Sequence, residues 1–175
     1  GVPMVSYAST SPAITSYDDD GYLFRVVPSD AQQGQALADV FAASGYENPG
    51  VIAMTNDYGA GFHAAFLDNW DGTPCAEATY ADGTTDFSTH VAAVLDNNCD
   101  SVVMITYASD GAAIAEELAT QGADVQIFGG DGIADVNFGS EFTDLSALDG
   151  VTATKPASGA PTEYQYMFDM FYGAA

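Results

Sequence analysis

Val51-Ile52-Ala53-Met54-Thr55, then Asn56-Asp57-Tyr58-Gly59, then a helical stripe of Phe62, Phe66 and Trp70 within Gly61–Trp70: this stretch decides the fold. A short uniformly apolar run bounded by polar residues reads as a strand buried on both faces. Aromatic residues four apart read as one side of a helix laid against it. The same unit recurs downstream. Ala76–Tyr80 is a strand, followed by a helix with Phe87, Val91, Val94 and Leu95 inward and Thr85 or Asp86 as its cap. Ser101–Thr106 is a strand, and Ser109 caps a helix carrying Ile114 and Leu118 that Gly122 ends. Val125–Phe128 and Val151–Thr154 are strands, with a short helix at Val136–Phe142 and another helix at Pro161–Tyr172. Upstream, Ser29 caps a helix from Asp30 to Ser44 with Leu37, Val40 and Phe41 inward and Gly45 at its end. Asn48-Pro49-Gly50 reads as a turn, and Val2–Tyr7 and Tyr22–Val27 as two short strands. Strands alternating with helices over short loops predict an α/β fold: a three-layer α/β/α sandwich on a mainly parallel sheet.

Charge narrows the partners. Arg25 and Lys155 face 25 acidic residues, for a net charge of −23 in 175 residues. Affinity for nucleic acid rests on cations that neutralise phosphates, and so does affinity for anionic lipid surfaces, so both are excluded. Near-absence of lysine in an acidic chain points to a salt-adapted organism, because salt screens the self-repulsion. With 47% apolar residues the chain is globular. It has no run long enough to cross a membrane as a helix and no charged-then-apolar leader, which predicts a mature chain or a segment of a larger one. Cys75 and Cys99 fit neither zinc spacing nor a redox pair. Each precedes a predicted strand. If those strands adjoin, a disulfide forms at the amino edge of the sheet, worth roughly 3 kcal/mol and favouring an exported protein.

Ligands of open α/β sheets bind outside the carboxyl ends of the strands. That rim carries Ser9-Thr10-Ser11, Asn56-Asp57-Tyr58-Gly59, Tyr107-Ala108-Ser109 and Asp131. Hydroxyls and backbone N–H groups suit a carboxylate, a lone acid suits an ammonium, and the two phenols supply flat walls with a polar tip. An α-amino-acid zwitterion matches the set. Catalytic signals are weak. Gly59-Ala60-Gly61-Phe62-His63-Ala64 has the spacing of a dinucleotide fingerprint, but three residues separate it from the strand and no acid follows to hold a ribose, so small residues at a helix start are the better reading. His63 and His90 lie on predicted helices away from the rim, without a nucleophile setting and too few for zinc. Asp18-Asp19-Asp20-Gly21 lacks the spacing and closing Glu of a calcium loop. No cofactor and no metal is implied, and the chain reads as a binder rather than an enzyme.

Three blocks carry a family resemblance: Val2-Pro3-Met4-Val5-Ser6-Tyr7-Ala8-Ser9-Thr10-Ser11-Pro12, Tyr22-Leu23-Phe24-Arg25-Val26-Val27-Pro28-Ser29-Asp30 and Asn56-Asp57-Tyr58-Gly59-Ala60-Gly61-Phe62. Thr85-Asp86-Phe87-Ser88 follows in the same order. In these the chain resembles the type I periplasmic solute-binding proteins of branched-chain amino-acid (Leu/Ile/Val) ABC transporters. The resemblance implies that Ala8, Ser9 and Thr10 hold the ligand carboxylate. It implies that Tyr58 and Tyr107 close over the ligand, and that Asp131 takes the ammonium where Leu/Ile/Val binders carry Glu. It also implies two lobes. Residues 1–27 would be a remnant of the first, 28–155 the second, and 156–175 a hinge with a returning first-lobe helix. First-lobe strands left without partners would invite self-association. The implied partners are a small-molecule ligand and the membrane subunits of a transporter, outside the cytoplasm. Two alternatives stay open: the ectodomain of a membrane sensory receptor, and a hydrolase-like or flavodoxin-like enzyme.

Overall fold

A computed structural model describes residues 1–135, 137–157 and 170. Two parallel sheets organise it. The smaller pairs β1 (Met4–Ser6) with β2 (Leu23–Arg25), joined through a 3-10 turn at Pro12–Ser16. The larger contains β3 (Pro49–Met54), β4 (Ala76–Tyr80), β5 (Ser101–Ile105), β6 (Gln126–Gly129) and β7 (Thr152–Ala153), in the order β4-β3-β5-β6-β7, every neighbouring pair parallel. α1 (Asp30–Ser44) joins the two sheets, and the crossovers of the larger one carry α2 (Asp57–Asn69), α3 (Ser88–Asp96) and α4 (Ala108–Thr120).

Alternation along the central strands sorts the core into two layers. Val51, Ala53, Val103, Ile105 and Phe128 face α1 and α2, where they meet Leu37, Phe41, Phe62 and Phe66. Ile52, Met54, Val102, Met104 and Ile127 face α3 and α4, packing on Val91, Val94, Ala115 and Leu118. Phe41 sits among three rings edge-on, with centroids 6.0 Å from Phe66, 5.4 Å from Trp70 and 5.2 Å from Phe128. Gly34 lets α1 lie directly on α2: a Cβ there would fall 2.6 Å from the Cβ of Ala65. The sandwich is thus the three-layer α/β/α arrangement that the strand–helix alternation predicts.

Several local expectations are corrected. α2 starts at Asp57, four residues before the expected Gly61, because the Asn56 side chain accepts the Gly59 N–H at 2.8 Å and caps an earlier turn. α4 starts at Ala108 with Tyr107 at its cap position, so Ser109 lies inside the helix. Phe87 occupies the cap position of α3 and makes no capping bond. Asp86, one residue earlier, accepts the Ser88 N–H at 2.9 Å. Pro49 and Gly50 belong to β3 rather than to a turn. A proline is tolerated as the first residue of a strand, and Gly50 makes room for Val94 and Cys99. The short helix expected at Val136–Phe142 is a 3-10 turn at Phe138–Glu141, with Val136 outside the described residues. Of the helix expected at Pro161–Tyr172 only Met170 is among the described residues.

The strands expected to lack partners pair with each other, although Met4, Val5, Phe24 and Val26 on them remain exposed. Cys75 and Cys99 do form a disulfide, with Cα atoms 5.8 Å apart. Their strands β4 and β5 are not neighbours, however; they flank β3, and Cys99 lies beside Gly50 of that strand.

Candidate functional site

A cavity of about 600 Å³ opens at the carboxyl ends of β3, β5 and β6, in the range ~300–1,000 Å³ usual for small-molecule sites. Ala8, Ser9, Thr10, Tyr58, Tyr107 and Asp131 all line it. The loop after β1 and the 3-10 turn form one wall, adding Ser11, Ala13, Ile14 and Tyr17, with Leu23 of β2. The starts of α2 and α4 and the segment after β6 form the other. Neither histidine lines it. His63 Nε2 lies 3.1 Å from Glu77 near the amino end of β4. His90 packs on Tyr80 and Phe87 at the carboxyl end of β4, nearer the rim than its helix suggested.

Each wall has its own chemistry. On the first, the Ser6 hydroxyl accepts the Ser9 N–H at 3.0 Å and donates to Ser9 Oγ at 2.6 Å, which leaves the hydrogen of Ser9 free to donate elsewhere. On the second, Asp131 Oδ1 accepts from Tyr58 OH at 3.1 Å and from Gln33 Nε2 at 3.2 Å. Asp131 Oδ2 accepts no bond among the described residues, so one carboxylate oxygen is held and the other is not. Burial and the Asp131 charge push the Tyr58 phenol far above the usual phenol range, so it stays a donor. The Tyr58 ring stacks on Tyr107, with centroids 5.2 Å apart and planes 13° from parallel. Gly132 is required beside them: a Cβ would lie 2.1 Å from the Thr106 carbonyl oxygen.

Sequence reasoning missed the layer beneath. Asp30 and Gln33, on the first turn of α1, lie under Asp131. Gln33 Nε2 also donates to the Thr154 carbonyl at 3.0 Å, tying α1 to the segment after β7. Asp30 is fully buried, and neither carboxylate oxygen has a hydrogen-bond partner among the described residues. Burial pushes its carboxyl up to about 6. Asp131 adds to the rise, while the Thr10 side chain and Arg25 oppose it. Asp30 reads from sequence as an ordinary acidic first-turn residue. Nothing in its spacing signals burial. The one available signal was Ser29 as a cap, which places Asp30 and Gln33 on the opening turn of a helix entering this rim.

The lining holds acids, Asp57 and Asp131, and no basic side chain. Among the described residues that line it there is no histidine, cysteine or lysine. Among the described residues no group of three potential metal ligands is found.

Comparison with known proteins agrees with this geometry. Residues 1–167 match the family model described as periplasmic binding protein. The fold is shared with the leucine-binding protein LivK of Thermotoga maritima at a TM-score of 0.80 and 23% identity, covering 98% of this chain and 51% of that one. The branched-chain amino acid transporter substrate-binding protein LivJ of Streptococcus pneumoniae, solved in complex with isoleucine, gives a TM-score of 0.71 and 26% identity over 81% of this chain and 41% of that one. Metabotropic glutamate receptor 6 of Rattus norvegicus is 35% identical over 66 residues, which is 38% of this chain and 8% of the receptor. The chain thus spans about half the length of these solved relatives and a small part of the receptor. With a family match over nearly its whole length, the chain belongs to the periplasmic binding protein family.

Proposed function

We propose that this chain is part of an exported solute receptor that binds an amino acid or similar small zwitterion and delivers it to an ABC transporter. One observation carries the reading: a single cavity has neutral donors on one wall and an acid with a free oxygen on the other. That polarity matches a carboxylate and an ammonium on one small molecule. The stacked pair Tyr58–Tyr107 supplies an apolar lid between them. The similarity to a leucine-binding protein and to a binding protein solved with isoleucine supports the class. In this reading Ala8, Ser9 and Thr10 take the carboxylate, Asp131 the ammonium, and Tyr58 and Tyr107 the middle. Residues 1–27 and 156–175 belong to one lobe and 28–155 to the other, and ligand contacts from both favour a closed state. The acidic surface fits a salt-rich medium outside the cytoplasm.

Titration calorimetry of the natural protein against the common L-amino acids tests this. Saturable binding of at least one is expected, weakened about 100-fold by Asp131→Asn through loss of a buried charge pair. Absence of binding across the set, or binding untouched by Asp131→Asn, overturns the reading.

The match to metabotropic glutamate receptors favours a second reading, a sensory ectodomain of the same architecture. A membrane-spanning or signalling segment in the same polypeptide would assign it.

A further inference from the structure

Arg25 is one of only two Lys or Arg residues in the sequence, and its half-buried side chain is engaged by backbone carbonyls. Its Nη1 donates to the Thr10 carbonyl at 3.2 Å and to the Ser11 carbonyl at 2.8 Å, and its Nη2 donates to Thr15 Oγ1 at 2.8 Å. From the other side the Asp30 N–H donates to the same Thr10 carbonyl at 2.9 Å. Thr10 and Ser11 are both buried. In a trans peptide unit the C=O and the following N–H point in opposite directions. A Thr10 carbonyl drawn back onto Arg25 therefore turns the Ser11 N–H the other way. The N–H groups of Thr10 and Ser11 make no hydrogen bond among the described residues, and both residues line the cavity.

We propose that Arg25 is the positioning residue of the carboxylate half of this site. Its planar fork fixes the segment 10–15, so that the Ser11 N–H, with the Ser9 hydroxyl beside it, faces the anionic end of the ligand. It also supplies, from one layer behind, the positive field that a lining of neutral and acidic side chains lacks. The guanidinium acts through the peptide groups and does not touch the ligand. This rests on the zwitterion reading above.

The test uses the natural protein, L-leucine as probe, and the variants Arg25→Lys and Arg25→Met. Arg25→Met is expected to weaken leucine binding about 100-fold, and Arg25→Lys, which keeps the charge but not the fork, about 10-fold. The discriminating readout is a pair of double-mutant cycles. The loss should be strongly non-additive with Ser9→Ala, on the same wall, and additive with Asp131→Asn, on the opposite wall. In the ligand-free protein, amide hydrogen exchange over residues 9–15 should quicken in both variants, while α4 is unaffected. If Arg25→Met fails to fold, Arg25→Lys carries both arms. Unchanged exchange over 9–15, or equal coupling to both walls, overturns the proposal. A natural protein that does not bind leucine or any other amino acid overturns the zwitterion reading instead, and the exchange arm still decides whether Arg25 holds the segment.

Discussion

Burial of Asp30 couples the stability of the fold to pH. Folded, its carboxyl keeps a proton up to about 6; unfolded, it releases it near the ordinary value of 3.8. Between those values the folded form binds more protons, so this group favours folding on the acid side and loses that contribution as the pH rises through 6. Asp30→Asn removes the charge at nearly constant shape. It is expected to stabilise the protein at neutral pH by roughly 2 kcal/mol, with the difference shrinking to nothing near pH 4. Urea melts of both proteins across that range check it, and a pH-independent difference would show that Asp30 is not the titrating group. At this scale the sequence was legible where chemistry is local. Ser9, Tyr58, Tyr107 and Asp131 are short polar signals at strand ends, and all reach the cavity. Asp30, Gln33 and Arg25 were not legible in their roles, because what distinguishes them is burial and partners 10 to 121 residues distant in sequence.

Helices and strands were readable wherever one face is uniformly apolar. The alternation in Val51–Met54 and Val102–Ile105 matches the two core layers residue by residue. Helix starts were harder. The small residues after Asn56 mask its cap, and Ser109 looks like a cap although the helix starts at Ala108. Strand order was out of reach, since β3 lies between β4 and β5 by tertiary packing that no local pattern encodes. The close approach of α1 and α2 makes a prediction at this scale. Gly34→Ala gains about 1 kcal/mol of helix propensity. Its Cβ would also lie 2.7 Å from the Ala65 carbonyl carbon and 2.8 Å from the Phe66 nitrogen, backbone atoms that cannot step aside. A net loss of about 1–3 kcal/mol is expected from the overpacking, measured by thermal or urea unfolding. A stabilised variant would mean that the two helices slide freely.

Across the whole molecule, a net charge of −23 repels itself wherever water does not screen it. The unfolding midpoint in urea is expected to climb steeply with added KCl up to about 1 M, where the screening length falls to ~3 Å, and to flatten beyond. A midpoint indifferent to salt would remove the argument for a saline habitat. Fold class was readable at this scale because strand–helix repetition leaves few topologies. The division into lobes was inferred from a resemblance, because no local pattern in the sequence marks it.

The scarcity of cations has a practical side. Trypsin cuts after arginine and lysine but poorly before proline, and Lys155 is followed by Pro156. That leaves Arg25 as the one ordinary cleavage point within this sequence, and its guanidinium is already engaged by the neighbouring backbone. The folded chain should resist tryptic digestion. Peptide surveys that rely on trypsin will undercount this segment, whereas an enzyme cutting at aspartate or glutamate will find it readily.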